Sequence, residues 1–397
     1  MEEYKSIPQI CNDIELIHLD CGNYLYIQKL YGYRVRINYA TKKLLDIIDG
    51  KKSIKEITEE YNKKNNSDIS INTCWNILNG NLKKCGIISV GDNYQIHTNK
   101  AKYLHLRCRI IPYSVSSKIT KHLKFLFKEQ IFISLFFISF ITILISSIYY
   151  VPNIYNNINR LSPQDLIPII GIGILNVLVH EFGHATACEC YGAKYGDIGF
   201  GFYLLNPSMY TDVTDIWKLD RKHRIIINLS GIYAGNFIII LSIIFYYYTK
   251  KEFLLYAFVI QTIETLYNMN PLAKFDGYWV LTDLLNSSNL SKDASLRVKK
   301  IFKNYSIYNK IDWFLFAYGI SSPLFIISYI IVILLNDSYS LISFPTEFPQ
   351  YIIKVVCDID LFNLTKIINF APAFFFYYLL MKFIVSLYRT KKRRVIS

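Results

Sequence analysis

A His-Glu-x-x-His motif lies inside an apolar stretch of this sequence, at His180, Glu181 and His184. Two histidines four residues apart lie on nearly the same face of a helix, so both imidazoles can reach one metal ion. The glutamate between them can take a proton from metal-bound water. Titratable side chains are costly in a hydrocarbon layer and are usually kept there for function. The motif therefore predicts a metal centre with hydrolytic chemistry.

A zinc centre of this kind needs a third protein ligand and an open position for water. Six nearby residues are less suited to be the third ligand, because they continue the same segment or lie in a polar loop: Cys188, Glu189, Cys190, Asp212, Asp215 and His223. Glu264, in the middle of a later apolar segment, stays a candidate. Asp276 is another, since we expect Pro271 and Gly277 to break the helix there and let a carboxylate turn inward.

The elements that carry these residues are predicted to be membrane spans. Hydrophobic residues make up 52% of the 397 residues and charged residues only 19%, which is too apolar for a soluble globule. Long apolar stretches predict six spans, at residues 131–151, 166–187, 225–248, 253–269, 313–335 and 367–388. The fourth could instead be a re-entrant segment.

Charge and cysteine content place these spans in a membrane with both termini in the cytoplasm. The net charge is +14, and most lysines and arginines beside the predicted spans fall on one side, as the positive-inside rule requires. The eight cysteines include no Cys-x-x-Cys pair, which favours reduced thiols. The first residues lack the basic and apolar regions of a cleaved signal peptide. We expect a basic linker at 101–130, a membrane domain at 131–388 and a basic cytoplasmic tail at 389–397.

Residues 1–100 predict a small α+β domain of the winged-helix type. Two β-type runs surround a turn, and a closing hairpin is expected after three helices. Asn38 is expected to cap the first helix, and Ser53-Ile-Lys-Glu56 is a capping box that opens the second. The third helix, at 72–84, has basic residues only at its C-terminal end and no arginine. It is poorly equipped to read a major groove, so we expect no nucleic-acid partner.

The membrane motifs resemble the site-2 protease family of intramembrane zinc metalloproteases. The chain carries the family's second motif, Asn-x-x-Pro-x-x-x-[Leu/Phe]-Asp-Gly, starting at Asn268. The resemblance implies that zinc binds to His180, His184 and Asp276, that Glu181 is the general base, and that Asn268 contacts the substrate or the oxyanion.

The resemblance covers about residues 166–285 and has one departure. The family often carries Gly-Pro-x-x-Asn in the intervening span, whereas this chain has no proline there and places its asparagine, Asn236, one residue late. Asn236 is therefore assigned no role. The run Gly199–Tyr203 could be a re-entrant β-type segment that presents substrate backbone, or an ordinary interfacial loop. An insertion the size of a PDZ domain is absent, which argues against the branch that senses periplasmic protein ends.

Residues 10–97 resemble PqqD-type domains, the recognition elements that hold leader peptides of ribosomally made, modified peptides. The similarity is carried by Arg36-Ile-Asn38, by Leu44–Gly50, by Ser53–Ile57 and by the helix end at Gly86. It implies that a leader peptide pairs with the exposed edge of the first hairpin. A domain of this type fused to a site-2-type body resembles the peptide-maturation proteases of bacterial peptide biosynthesis clusters.

The sequence thus predicts a helical multi-pass zinc endopeptidase of the bacterial cytoplasmic membrane that trims a precursor peptide. An ABC exporter or a modifying enzyme of the same pathway would be a further partner. Two alternatives stay open: a regulated intramembrane protease of a single-span signalling protein, and a non-catalytic peptide-binding or immunity factor. The intact Glu181 argues against the non-catalytic alternative, because a binding protein has no use for a general base.

Overall fold

In the computed structural model an N-terminal α/β region precedes a helical body. The residues that the structure describes are 6–11, 14–19, 23–28, 33–83, 85–90, 105–155, 162–203, 206–287, 289–304, 310–335 and 343–357, with Phe370, Ala373, Tyr377 and Met381. The predicted basic tail and the second half of the predicted closing hairpin lie outside them.

The N-terminal region contains two small antiparallel sheets. One is three-stranded, in the order β2 (Ile14–Leu19), β3 (Asn23–Gln28) and β4 (Tyr33–Asn38). The other pairs β1 (Pro8–Ile10) with β5 (Ile88–Val90). The predicted first hairpin corresponds to β2 and β3, whereas the third strand was not predicted.

Three helices pack on the three-stranded sheet: α1 (Tyr39–Leu45), α2 (Ile54–Asn65) and α3 (Ile71–Ile77). The Asn38 side chain caps α1 by accepting a hydrogen bond from the Thr41 amide at 2.9 Å, and the capping box of Ser53 and Glu56 is formed at the start of α2. The expected helix at 72–84 is interrupted, since α3 passes into a wider π-helical turn over Leu78–Leu82. That turn contains Gly80, and glycine disfavours regular helix.

The two faces of the three-stranded sheet have different partners. Tyr26 and Ile37 face the helices and belong to the core of the N-terminal region. Leu25 and Ile27, which alternate with them in direction, pack with Ile17 against Trp217 of the helical body. An apolar contact therefore holds the N-terminal sheet against the body.

Four described helices are long and apolar enough to cross a membrane: α5 (Glu129–Tyr155), α6 (Leu166–Tyr191), α7 (Arg221–Thr249) and α11 (Lys310–Leu335). They are the helices of a membrane-embedded protein, and they coincide with the first, second, third and fifth predicted spans. The fourth predicted span forms α8 (Glu252–Met269), a helix that is not among these four. The sixth lies almost wholly outside the described residues, so the number of spans stays a prediction.

Residues 105–123, which we expected to be part of a linker, are structured. They form the strand β6 (His105–Ile111) and the helix α4 (Tyr113–Leu123). The strand pairs with a hairpin of β7 (Ile198–Tyr203) and β8 (Asn206–Thr211), in the order β6-β7-β8. The run at Gly199 is therefore a strand and not an irregular loop. The strand β6 was missed because it lies about 90 residues before its partner β7, and only the pairing of the two makes it part of a sheet.

Three shorter helices complete the described body: α9 (Asp276–Leu284), α10 (Leu290–Asn304) and α12 (Phe344–Cys357). The expected break after α8 is present, because α8 ends at Met269 immediately before Asn270 and Pro271. Gly277 is not part of that break, since it lies in the first turn of α9. A side chain there would collide with the backbone of Met269, so glycine is needed for close approach.

We expect Leu25→Asp to detach the N-terminal sheet from the body, because Leu25 is 3% exposed in the contact with Trp217. Hydrogen exchange on the full chain should show faster exchange at residues 214–218, while α2 on the other face of the sheet stays protected. Leu16→Asp is the matched control, since Leu16 on the neighbouring strand is 44% exposed. Equal exchange in both variants would contradict the contact.

Candidate metal centre

Three of the predicted ligand side chains meet at one point between α6 and the start of α9. The Nε2 atoms of His180 and His184 lie 3.2 Å apart. The Oδ2 atom of Asp276 lies 3.0 Å from the first of them and 3.4 Å from the second. All three ligand atoms lie within 4.8 Å of one another, a spacing that one metal ion could bridge.

The chemistry of these donors fits a cation. The Nδ1 atom of His184 lies 2.8 Å from the carbonyl oxygen of Ile227, which can only accept, so Nδ1 carries the proton. In the neutral imidazole, Nε2 then presents a lone pair to the site. The Oδ2 atom of Asp276 is buried without a hydrogen-bond partner. Lone pairs and a carboxylate this close repel one another unless a positive charge lies between them, and two nitrogens with one oxygen suit Zn²⁺.

A positive charge beside Asp276 keeps this side chain ionised. Burial by itself would raise the pKa of the carboxyl, whereas protonated His184 and His180, or a cation bound in place of their protons, hold the pKa below its usual value. Its position as the first residue of α9 also favours negative charge, because the helix dipole is positive there.

The turn that delivers Asp276 is held from two sides. The hydroxyls of Tyr318 and Ser322, both on α11, donate to the carbonyls of Pro271 and Leu272 at 2.8 and 2.7 Å. From the other side, the Lys274 amide donates to the Tyr203 hydroxyl of β7 at 2.6 Å. The segment between α8 and α9 is therefore fixed by long-range contacts that the sequence did not indicate.

The helix α9 is also anchored along its length. Asp283, two turns after Asp276, is 3% exposed and accepts hydrogen bonds from Arg224 Nε at 2.6 Å and from Asn228 Nδ2 at 3.0 Å. Burial raises the pKa of Asp283, and the Arg224 guanidinium opposes that rise. Arg224 in turn lies over the ring of Trp217, 5.5 Å from its centroid. The buried pair therefore joins α9 to α7.

Glu181 is 6% exposed and contacts the sheet of β6, β7 and β8. The Thr211 hydroxyl, at the end of β8, lies 2.7 Å from the Oε2 atom of Glu181 and 3.1 Å from its backbone oxygen. A hydroxyl has one proton to donate, and the shorter distance favours the carboxylate. Thr211 therefore orients the carboxylate that the sequence identified as a base. Sequence reasoning missed it, because nothing in the run around Thr211 indicates that it lies beside α6.

Two glycines let α6 and α7 approach closely and leave space for the imidazoles. A side chain at Gly183 would collide with the Ser230 carbonyl, and one at Gly231 would collide with the imidazoles of His180 and His184. Asn236, one turn further along α7, faces away and donates to the Ser139 hydroxyl of α5 at 2.9 Å. Asn236, which was assigned no chemical role, therefore joins α7 to α5.

The centre opens into a cavity of about 1330 Å³. Asn268 and Glu264 both line it, so both can face a bound substrate. Glu264 is not within the group of three converging ligand atoms. Of the remaining sequence candidates among the described residues, none joins that group either: Cys188, Glu189, Cys190, Asp212, Asp215 and His223. Asp215, for example, accepts a hydrogen bond from the Lys194 amide at 2.8 Å.

The chain is similar to a protein of Bacillus subtilis (strain 168) named "Putative peptide zinc metalloprotease protein YydH". The two are 26% identical over 152 residues, which cover 36% of this chain and 60% of that protein. No protein-family model and no solved structure matches the chain. The similarity supports a metalloprotease, and the name of the relative suggests zinc.

We expect Gly231→Ala to abolish metal binding while the helices stay folded, because the added methyl group would occupy the space of both imidazoles. Metal content of the purified variant, measured by inductively coupled plasma mass spectrometry, tests this. Gly171→Ala is the matched control on α6, since its methyl group would meet no atom within 4 Å. Retention of a full equivalent of metal by Gly231→Ala would contradict the geometry.

We expect Thr211→Val to reduce catalysis about 10-fold, because the isosteric side chain cannot donate to Glu181. Thr211→Ser keeps the hydroxyl and should restore the rate, which is measured as peptide cleavage by the purified variants. A Thr211→Ser variant as slow as Thr211→Val would argue for a packing role of Thr211 instead.

Proposed function

We propose that this chain is an intramembrane zinc endopeptidase of the site-2 type that cleaves a ribosomally made precursor peptide. Zinc would be held by His180, His184 and Asp276, with Glu181 as the general base. The observation that carries this proposal is the convergence of three metal-ligating side chains beside a buried glutamate. The similarity to a named peptide zinc metalloprotease supports the same chemistry.

The residues around the centre fit hydrolysis of a peptide bond. Zinc bound there supplies a Lewis acid that polarises the scissile carbonyl and acidifies water. Glu181 accepts the proton of the attacking water and returns it to the leaving amine. Thr211 holds the Glu181 carboxylate in one orientation throughout. Asn268, in the cavity wall, is placed to contact the substrate backbone or the oxyanion.

The substrate must enter in an extended conformation, because a helix hides its carbonyls in its own hydrogen bonds. β8 is an edge strand of its sheet, and it ends at Thr211 beside Glu181. An extended peptide that pairs with this edge would run past the general base. The sheet thus supports an arrangement in which strand addition aligns the scissile bond.

The N-terminal region would hold the leader of the precursor, on the edge of β2 in its three-stranded sheet. That sheet packs on Trp217, and Trp217 lines the cavity of the metal centre. A leader held there raises the local concentration of the cleavage site at the cavity, so a weak affinity suffices. We place the enzyme in the bacterial cytoplasmic membrane with both termini cytoplasmic, beside an exporter or modifying enzyme of the same pathway.

Co-expression with the small peptide encoded nearest its gene, followed by mass spectrometry of that peptide, tests the proposal. A truncated peptide with the wild type but not with Glu181→Gln is the expected result, because the variant keeps the metal ligands and lacks the base. Identical masses with the peptide co-purifying would favour a non-catalytic peptide-binding factor. Identical masses without binding would favour a protease of a single-span signalling protein.

Metal analysis of the same preparations separates the ligands from the base. Glu181→Gln should retain zinc, whereas Asp276→Ala should lose it, since two imidazoles alone do not complete a zinc site. Normal zinc binding by Asp276→Ala would make Glu264 the better candidate for the third ligand.

A further inference from the structure

A second carboxylate lines the cavity of the metal centre and has no part in the hydrolysis described above. Glu264 lies on α8, among residues that are mostly apolar, and is partly buried. A carboxylate at membrane depth is costly and is normally paired with a cation. In the part of the chain that the structure describes, no lysine or arginine pairs with it. Asn176 and His180, both on α6, are the polar side chains that influence it, and both line the same cavity.

Asn176 carries no charge that could neutralise this carboxylate. It lies on α6 four residues before His180, lines the same cavity and is 6% exposed. Its Oδ1 atom is buried beside Gly235 and has no hydrogen-bond partner. The amide and the carboxylate therefore both add polar groups to the cavity wall. Four residues rise ~6 Å along a helix axis, so Asn176 lies close to the metal centre.

Several apolar residues share the cavity wall with Glu264. Ile170 and Ile174 of α6 and Ile260 of α8 line the same cavity, and Phe325 and Tyr329 line it from α11. A cavity wall that combines apolar residues with a carboxylate suits a long methylene chain with a cationic end, because the chain is buried on the apolar residues while the charge pairs with the carboxylate. A small metal ion would need more oxygen ligands than this site offers.

We propose that Glu264, oriented by Asn176, forms a specificity subsite for a lysine or arginine side chain of the peptide substrate. An extended peptide rises ~3.3 Å per residue, so a subsite beside Asn176, which precedes His180 by ~6 Å along α6, places the basic residue within about two positions of the cleaved bond. The proposal rests on the proposed function, since it assigns the substrate preference of that same site.

Cleavage of a peptide library tests the preference. The probe is a mixture of decapeptides that carry lysine, arginine, norleucine or glutamate at each position, cleaved by the purified full chain and analysed by mass spectrometry. The wild type should enrich a basic residue at one position near the cut by about 10-fold, and Glu264→Gln should lose that enrichment while it still cleaves norleucine peptides. Glu252→Gln, the same change at the first residue of α8, is the control.

Binding gives a second readout that does not depend on catalysis. In the Glu181→Gln background, lysine-containing decapeptides should bind about 10-fold more tightly than norleucine peptides, and Glu264→Gln should remove the difference. Equal binding of the two peptides, or an equal loss of cleavage for all peptides in Glu264→Gln, would overturn the subsite. A lysine preference in binding without any cleavage by the wild type would instead overturn the proposed protease function.

Discussion

The structure depends on the meeting of three lone-pair donors at membrane depth. His180, His184 and Asp276 bring two imidazole nitrogens and a carboxylate oxygen to within 3.4 Å of one another, where they repel unless a cation lies between them. Charged and polar groups are expensive in this environment, so the surrounding helices must hold them against their own repulsion. Much of the packing among the described helices holds these three side chains together.

The helix α7 is the frame on which the centre is assembled. The carbonyl of Ile227 sets the tautomer of His184, and Gly231 leaves the space that both imidazoles occupy. One turn earlier on the same helix, Arg224 and Asn228 hold Asp283 and thereby anchor α9, which begins with Asp276. A single helix therefore orients a ligand on α6 and positions the ligand on α9. This double role accounts for Gly231 beside the imidazoles and for the buried polar side chains of Arg224 and Asn228 that precede it on α7.

The sheets connect the centre to the side from which a peptide would arrive. Thr211 joins β8 to the carboxylate of Glu181, and Trp217 lies between the N-terminal sheet and the Arg224–Asp283 pair. The elements outside the membrane helices thus contact both Glu181 and the Arg224–Asp283 pair that anchors α9. Glu264 lines the same cavity as Glu181 and adds a second carboxylate to its wall.

Structural features that depend on residues close together in the sequence could be predicted, whereas features that depend on contacts between distant segments could not. The four-residue spacing of the histidines, the caps at Asn38 and Ser53 and the apolar length of α5, α6, α7 and α11 follow from helix periodicity and local hydrogen bonding, which the sequence determines by itself. From the residues alone, Glu264 and Asp276 both stayed candidates until a family resemblance favoured Asp276. Only tertiary structure decided which carboxylate meets the histidines, that Thr211 contacts Glu181, and that residues 105–111 form a strand. Each of these depends on segments far apart in the chain, whose pairing leaves no periodic pattern in either partner.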